Sequence, residues 1–382
     1  MRNLIATAIC ITSFAVAQGP AQAGEFGKAL GGAPFAGLIR DDAGNLYGTE
    51  IAGGQEGDGL VFQLSPDNTF TEIYQIGGGN DGTLPESALF RDASGYLYGT
   101  VKEGGTGTAC TSGCGTLYKV TVNGNYTVLH DFAGGSDGAM PVSSIIMDGA
   151  GNIYGATPYG GSACGDPNGC GVVYKLTPGG VETILHAFTN GSDGGYPYAG
   201  VVLDNGGNIY GVAGGGSGTF GNVFKISNKG KFKVLFTFHG GADGGWPFGR
   251  LLKDGSALYG TTNIGGAHGY GTVFKVTTAG NETVLHSFTG TDGANSVTGL
   301  ISDKKHNLYG TTQFGGSGSC NCGTVFKVAP SGQETVLHSF AGGDDDGAQP
   351  LGDLIMDKAG NIYGTTFEGF VENGGGMFII TP

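Results

Sequence analysis

The sequence has few basic residues, and this scarcity excludes several classes of partner. Lysine and arginine number 18 against 32 aspartates and glutamates, and of all these charged residues only Arg2 lies within the first 23 positions. Without those positions the chain keeps 17 basic and 32 acidic side chains, a formal net charge of −15. Nucleic acids and anionic membranes bind proteins through clustered positive charge. We therefore expect neither of them as a partner.

The chain also lacks, after residue 23, any apolar run near the roughly 20 residues that a membrane-spanning helix needs. Its beginning has the pattern of an export signal, with a positive charge at Arg2, an apolar run over 4–17 and small residues ending at Ala23. The sequence thus predicts a signal peptide, 1–23, cleaved near Ala23. The mature part, 24–382, is predicted to be one secreted domain, periplasmic or extracellular, monomeric and not inserted in a membrane.

No stretch of the mature chain shows sustained helical periodicity. Instead, the dipeptide Tyr-Gly recurs at intervals of 49–56 residues, and an aspartate precedes most of its tyrosines by six residues. The tyrosines are Tyr47, Tyr98, Tyr154, Tyr210, Tyr259, Tyr309 and Tyr363. The aspartates are Asp41, Asp92, Asp148, Asp204, Asp303 and Asp357, while Asp254 precedes its tyrosine by five residues. This landmark indicates seven tandem repeats.

Each repeat contains short apolar runs that are rich in β-branched and aromatic residues and bounded by turn-forming residues. Four such runs in about fifty residues are typical of a propeller blade. The sequence therefore predicts an all-β, seven-bladed β-propeller of four-stranded antiparallel blades. A β-helix has shorter coils, and a string of separate fifty-residue domains would bury too little core. The fourth run occurs only six times, so we expect the segment 24–30 to supply the missing outer strand and close the ring.

In its fullest form the repeat reads D-G-A-x-P-x-x-G-L-I-x-D-x-x-G-N-L-Y-G-T-T-x-x-G-G…G-T-V-F-K-V-T-x-x-G-x-E-T-V-L-H-S-F. This motif resembles the GloVer tandem repeat of bacterial exported proteins, and the resemblance covers nearly the whole mature chain. It implies export, often with a C-terminal anchor, but no settled activity. Because the last residues, 377–382, form no apolar tail, we expect free secretion. The blades are also similar to those of streptogramin lyase-like and NHL propellers, which implies that the proline-led first strand lines the central channel and that the fourth strand is outermost.

The implied strand order places two sets of loops on one face of the propeller. Six aspartates precede glycine in the loops between blades, namely Asp81, Asp137, Asp193, Asp243, Asp292 and Asp346. Such carboxylates suit Ca²⁺, but an Asp-Gly pair also shapes a tight turn. We expect the turn-forming role, with no cofactor and no metal site. Ca²⁺ is the one candidate ion, and Asp344–Asp346 is its best single site.

The six cysteines of the mature chain fall in three close pairs within the loops between second and third strands. These pairs are Cys110 with Cys114, Cys164 with Cys170, and Cys320 with Cys322. In an exported protein this pattern predicts three disulfides. The ring closed by Cys320 and Cys322 is the tightest, so this is the pair that we expect to open most readily.

Histidines and lysines recur at fixed places in the repeat. His130, His186, His286 and His338 share one position of the fourth run, and because Tyr74 and Phe236 also occupy it, we expect a structural and not a catalytic role. The lysines of the third run are Lys119, Lys175, Lys225, Lys275 and Lys327. They are expected to pair across the strands with glutamates of the fourth run, namely Glu182, Glu282 and Glu334.

The residues that flank the proline of the first run vary from repeat to repeat. In the fourth and fifth repeats they are aromatic, namely Tyr196, Tyr198, Trp246 and Phe248. Clustered aromatic side chains at a channel mouth suit the binding of a sugar ring or of a partner protein. The four residues are therefore the candidate ligand-binding site, and packing between blades is the alternative interpretation.

Three functional hypotheses remain open. The leading one is a non-catalytic extracellular module that binds a glycan or a protein partner. The second is a lyase or hydrolase with its site in the channel mouth, for which the candidates by position are His239, Arg250, Glu86 and His268. None of these has a recognisable catalytic spacing, so the catalytic residues are unknown. The third is a structural component of an envelope or matrix.

Overall fold

The structure, a computed structural model, describes residues 23–29, 32–161, 163–370 and 374–381. The described chain is all-β except for one turn of 3₁₀ helix at Gly135–Asp137. Seven four-stranded antiparallel sheets form the blades of a propeller, which confirms the predicted fold class. The predicted signal peptide lies outside the described residues except for its last position.

The strands follow one another from the axis outward in six of the blades. Blades 1 to 3 consist of β2 (Ile39–Arg40), β3 (Leu46–Glu50), β4 (Leu60–Leu64) and β5 (Phe70–Gln75); β6 (Phe90–Arg91), β7 (Leu97–Val101), β8 (Thr116–Val120) and β9 (Tyr126–Asp131); and β10 (Ile146–Met147), β11 (Ile153–Thr157), β12 (Val172–Leu176) and β13 (Glu182–Ala187). Blades 4 to 6 consist of β14 (Val202–Leu203), β15 (Ile209–Ala213), β16 (Asn222–Ile226) and β17 (Phe232–Thr237); β18 (Leu252–Asp254), β19 (Ala257–Thr262), β20 (Thr272–Thr277) and β21 (Glu282–Ser287); and β22 (Ile301–Ser302), β23 (Leu308–Thr312), β24 (Thr324–Val328) and β25 (Glu334–Ser339).

The seventh blade joins the two ends of the chain. Its strands are β27 (Ile355–Met356), β28 (Ile362–Thr366), β30 (Gly376–Ile380) and, outermost, β1 (Ala23–Ala29). β1 pairs antiparallel with β30, which confirms that the N-terminal segment closes the ring. A separate two-stranded ribbon joins β26 (Gly347–Ala348) to β29 (Glu368–Gly369).

The first strand of each blade is shorter than the apolar run that predicts it. Only two or three residues of each run pair as a strand, and the four residues that begin at the proline position run alongside the channel without ladder pairing. These segments converge on the axis, where the neighbouring blades come close together. A Cβ atom at Gly37, Gly200 or Gly249 would lie only 2.1–2.5 Å from a backbone carbonyl oxygen of an adjacent blade. Crowding between blades therefore replaces pairing within the blade at this radius.

The Asp and Tyr of the repeat landmark are hydrogen-bonded to each other. In six blades the tyrosine hydroxyl of the second strand donates to the aspartate at 3.0–3.1 Å. The same aspartate accepts a backbone N–H of the turn that it begins, as Asp41 does from Asn45 at 2.8 Å. In blade 5 the turn is one residue shorter, and Asp254 instead contacts His306 of the next blade at 2.9 Å. The landmark thus fixes the hairpin between the first two strands.

The Gly of the landmark makes room for the core between blades. Each of these glycines lies opposite an aromatic residue of the third strand; Gly260, for example, pairs with Phe274. The phenylalanine that follows the fourth strand packs edge-on against the third-strand ring of the next blade at five junctions, with centroids 5.0–5.5 Å apart. Burying one such ring contributes about 1.5–3 kcal/mol, and the edge-on geometry adds about 0.5–1.5 kcal/mol. These contacts hold neighbouring blades together in one ring.

Among the described residues there is no helix of the length and apolar character that crossing a membrane would require.

Candidate functional site

The residue before the loop proline, or before Ser296 in blade 6, has an unusual backbone conformation in every blade. Its φ lies between 52° and 58° at Ala33, Leu84, Met140, Tyr196, Trp246, Asn295 and Gln349, although none of these is glycine. Its N–H donates to a carbonyl of the preceding blade, as Trp246 does to Phe220 at 2.6 Å and Tyr196 does to Cys170 at 2.8 Å. This left-handed kink costs roughly 1–2 kcal/mol per residue. It turns the chain so that the residue after the proline position faces the channel.

Those next residues line one cavity of about 520 Å³ on the propeller axis. All seven blades contribute, through Phe35, Glu86, Val142, Tyr198, Phe248, Val297 and Leu351. The wall is mainly apolar; besides Glu86, its polar groups come from other lining residues, namely Lys102, Ser143, Ser144, Arg250, Gln313 and Asp353. An apolar cavity with a few convergent polar groups is the usual form of a small-molecule site.

Five aromatic side chains form a continuous wall along one sector of the cavity mouth. Tyr159 contacts Tyr196 and Tyr198 edge-on, with centroids 6.0 and 6.4 Å apart. Tyr198 contacts Phe248 at 5.5 Å, and Phe248 lies 6.5 Å from Trp246. Trp246 and Tyr198 remain 43% and 37% exposed. We call this set, Tyr159, Tyr196, Tyr198, Trp246 and Phe248, the aromatic wall.

Hydrogen bonds hold the three tyrosines of the aromatic wall in place. The hydroxyls of Tyr159 and Tyr198 lie 3.0 Å apart, and Tyr196 donates to Asp166 at 2.8 Å. Burial, with the neighbouring Tyr159 hydroxyl, raises the pKa of Tyr198 well above its ordinary value. Tyr198 is therefore a neutral hydroxyl group at any physiological pH, able to donate one hydrogen bond and to accept another.

Two ion pairs lie in the cavity wall. Lys102 Nζ lies 2.9 Å from Glu86 Oε1. Arg250 Nε lies 3.7 Å from Asp353 Oδ2, and the other oxygen of Asp353 accepts the N–H of Gly299 at 2.6 Å. The four charges cancel, so the cavity has polar groups without a net charge.

The structure brings together the four residues that the sequence singled out. Tyr198 and Phe248 line the cavity itself, while Tyr196 and Trp246 extend the aromatic wall at its rim. Sequence reasoning missed Tyr159, which follows the second strand of blade 3. The positions after this strand also vary from repeat to repeat, and that variation was the available signal. Whether these residues bind a ligand stays a prediction.

Only two of the four candidates for a catalytic site lie in the cavity. Glu86 and Arg250 line the cavity, each within its own ion pair. His239 and His268 are exposed and lie outside the lining; His239 Nδ1 contacts Asp243 at 2.8 Å in its own loop. The described lining contains neither histidine nor cysteine.

The Asp-Gly loops are held by contacts within each blade. In four blades the fourth-strand histidine lies 3.0–3.2 Å from the aspartate of the following loop. The Tyr74 hydroxyl donates to Asp81 at 2.5 Å in the same way. These aspartates also accept backbone N–H groups, as Asp193 does from Thr189 at 3.0 Å. The aspartates thus take the turn-forming role, and Ca²⁺ binding stays an alternative prediction.

The expected pairing of third-strand lysines with fourth-strand glutamates is wrong. In blade 3, Lys175 lies opposite Thr183, whereas Glu182 lies opposite Leu176. Successive side chains of a strand point to opposite faces of the sheet, so Lys175 and Glu182 lie on different faces. Lys175 instead lies over the ring of Tyr154, 5.8 Å from its centroid. Glu182 lies beside His130 and Asp137 of the preceding blade and loop.

The three predicted disulfides are present. They join Cys110 to Cys114, Cys164 to Cys170, and Cys320 to Cys322, with Cα atoms 5.2–6.1 Å apart. Each one closes a short loop between the second and third strands. Which pair opens most readily stays a prediction.

One repeat family matches nearly the whole chain in sequence. The sequence model described as the Gloeobacter/Verrucomicrobia repeat matches residues 22–164 and 162–378. This match confirms the resemblance that the repeat motif indicated. No curated protein matches the chain.

Solved structures share the propeller fold at low sequence identity. The chain is similar to a catalytically inactive variant of virginiamycin B lyase from Staphylococcus aureus with quinupristin, at 13% identity and a TM-score of 0.62, over 95% of this chain and 99% of that one. It is similar to the extracellular domain of a hybrid two-component system from B. thetaiotaomicron, at 12% identity and a TM-score of 0.60, over 94% of this chain and 39% of that one. A puromycin-hydrolyzing peptidase of Mycobacterium tuberculosis has 12% identity and a TM-score of 0.53, over 88% of this chain and 50% of that one. Identities this low show the fold alone, although the extracellular neighbour and the disulfides are consistent with export.

Proposed function

The chain belongs to the Gloeobacter/Verrucomicrobia repeat family, and we propose that it is an exported, non-catalytic binding protein whose axial cavity takes a short, uncharged oligosaccharide. The observation that carries this proposal is the aromatic wall beside two ion pairs in one cavity. Size supports it as well, because about 520 Å³ lies within the range of about 300–1,000 Å³ typical of small-molecule sites.

The aromatic wall suits the apolar face of a sugar ring. Tyr198 and Phe248 line the cavity, and their edge-on contact, with centroids 5.5 Å apart, limits the movement of both rings. Large, rigid rings offer contact area at a low cost in conformational entropy. Trp246, at the rim, extends the same wall toward solvent.

The polar groups of the cavity suit hydroxyl groups. Glu86 and Asp353 offer carboxylate acceptors, while Lys102 and Arg250 offer charged donors. Hydrogen bonds to charged groups are the stronger ones in recognition. Since each ion pair contains one positive and one negative charge, the cavity favours a neutral ligand over an anion or a cation.

The only tryptophan of the chain provides the test. Trp246 lies 6.5 Å from Phe248, so its fluorescence reports on this site alone. The purified full-length chain would be titrated with neutral gluco-, manno-, xylo- and chito-oligosaccharides of two to four units. We expect saturable binding of at least one series. Phe248→Ala and Tyr198→Ala should each weaken it roughly tenfold, which corresponds to the loss of about 1.4 kcal/mol.

Tyr270→Ala is the matched control, because Tyr270 is an exposed aromatic residue of blade 5 outside the cavity lining. It should leave the affinity unchanged, and circular dichroism should show that all variants fold. Tyr198→Phe keeps the ring and removes the hydroxyl group, so it separates their contributions to binding. Each mixture is also analysed by mass spectrometry. Cleavage of a saccharide would favour the lyase or hydrolase hypothesis, and the absence of any binding would overturn the proposal in favour of a protein partner or a structural role.

A further inference from the structure

Two junctions between blades each bring together a histidine, an aspartate and a glutamate. The first set is His130, Asp137 and Glu182, and the second is His286, Asp292 and Glu334. In both sets the histidine lies in the fourth strand of one blade, the aspartate lies in the following Asp-Gly loop, and the glutamate begins the fourth strand of the next blade. We call them the junction trios.

The donor atoms of each trio converge on one point. His130 Nε2 lies 3.2 Å from Asp137 Oδ1 and 3.7 Å from Glu182 Oε1. His286 Nε2 lies 3.0 Å from Asp292 Oδ2. In both trios one ligand atom from each residue lies within 4.8 Å of the other two. Atoms bound at 2.0–2.2 Å to one tetrahedral Zn²⁺ lie about 3.4 Å apart, which matches this spacing.

Each trio places two carboxyl groups side by side at one blade junction. Among the described residues, no lysine or arginine forms an ion pair with any of the four carboxylates. One carboxylate oxygen of Glu182 and one of Glu334 are buried and accept no hydrogen bond. Burying a charged carboxylate is costly unless it pairs with an opposite charge or coordinates a metal ion.

The other junctions with described side chains each lack at least one member of the trio. Between blades 3 and 4, Phe232 replaces the glutamate and stacks on His186, with centroids 3.7 Å apart. Between blades 4 and 5, Phe236 occupies the place of the histidine beside Glu282. Between blades 1 and 2, the stacked rings of Tyr74 and Tyr126 occupy the space. The repeat alone therefore does not dictate the complete set.

We propose that each junction trio binds one Zn²⁺-class divalent cation through one imidazole nitrogen and two carboxylate oxygens, and that the ion cross-links two adjacent blades. Three protein ligands with nitrogen and oxygen donors suit Zn²⁺ and leave a fourth position for water. Ca²⁺ fits less well, because it takes six to eight oxygen ligands. This site lies at the blade junctions, is independent of the oligosaccharide cavity, and has a structural role.

Metal stoichiometry tests the proposal. The purified full-length chain, stripped with a chelator, would be titrated with Zn²⁺ by calorimetry and analysed by elemental mass spectrometry after desalting. We expect two equivalents for the wild type, one for Glu182→Gln, one for Glu334→Gln, and none for the double variant. Co²⁺ in place of Zn²⁺ should give the visible absorption bands of a low-coordinate site, and these should disappear in the double variant.

Phe232→Glu is the constructive test, because it adds the missing carboxylate beside His186 and Asp193. It should raise the stoichiometry to three. Circular dichroism of the metal-free variants shows whether each one folds, since the isosteric glutamine keeps the shape of the site. Absence of tight Zn²⁺ binding by the wild type, or two equivalents retained by the folded double variant, would overturn the proposal.

Discussion

Replacing Gly260, the landmark glycine of blade 5, by alanine tests whether the absence of a side chain at this position makes room for the ring of Phe274. A Cβ atom at Gly260 would lie 2.6 Å from Cζ and 3.0 Å from Cε1 of Phe274, where carbon atoms normally approach to about 3.5–4.0 Å. The overlap is about 1 Å. Phe274 is fully buried and cannot retreat, because Phe238 of blade 4 packs against it with centroids 5.0 Å apart.

Overpacking of this kind costs about 1–3 kcal/mol. Alanine regains about 0.5–1 kcal/mol relative to glycine within a strand. We therefore expect Gly260→Ala to lower the free energy of unfolding by about 1–2 kcal/mol, measured as lower midpoints in calorimetry and in urea. Gly149→Ala is the matched control, because no heavy atom lies within 4 Å of its added Cβ and its φ is not positive.

The control should be as stable as the wild type or slightly more stable. A second test adds space at the ring. Because Phe274→Leu removes the clashing atom, the double variant Gly260→Ala/Phe274→Leu should lose less stability than the two single losses added together. If Gly260→Ala proves as stable as Gly149→Ala, the ring does not require the glycine and the explanation of the landmark is wrong.

Three further predictions concern backbone strain, buried tyrosines and the disulfides. Trp246→Gly should be about 1 kcal/mol more stable than Trp246→Ala, because a φ of 52° strains any residue with a Cβ; equal thermal midpoints would contradict the strain. Burial and the hydrogen bond to Asp92 raise the pKa of Tyr98 to about 12. The neutral Tyr98 therefore stabilises the folded state fully below about pH 10, and this stabilisation is lost as the pH rises through 12. Ultraviolet titration of native Asp92→Asn should show the pKa of Tyr98 lowered, and an unchanged titration would rule out the bond as a cause. Replacing Cys164 and Cys170 together by alanine should cost about 2 kcal/mol through the lost loop constraint, measured in urea, and no loss would mean that the loop is equally ordered without its bridge.

Much of the fold could be predicted because its signals are local. The alternation of apolar runs and turn residues decides where strands form, and the Tyr-Gly landmark marks each blade once. Because the fourth apolar run occurs only six times in seven repeats, the sequence also predicted that the N-terminal segment closes the ring. The pairing of β1 (Ala23–Ala29) with β30 (Gly376–Ile380) confirms this. The innermost strands are shorter than the apolar runs that predict them, because crowding between blades at the axis limits their pairing and is not visible in a single repeat.

The candidate site was predictable only in part. Variation around the loop proline indicated Tyr198 and Phe248, since a position that departs from an otherwise regular repeat is visible in the sequence. Tyr159 was missed because it joins the same wall from a different loop, 39 positions away in the chain. The Lys175–Glu182 pairing was wrong because residue type was considered without the face of the strand.

By itself, the sequence determined the all-β class, the number of blades, the three disulfide pairs and the positions of the channel-facing residues. These features depend on order along one repeat and on counting the copies. Only the tertiary structure decided which side chains of different blades meet. Glu182 lies beside His130, and Asp353 beside Arg250, because ring closure brings together segments that the chain separates by one or two repeats. Such contacts follow from the packing of blades around an axis, and no periodicity within a repeat specifies them.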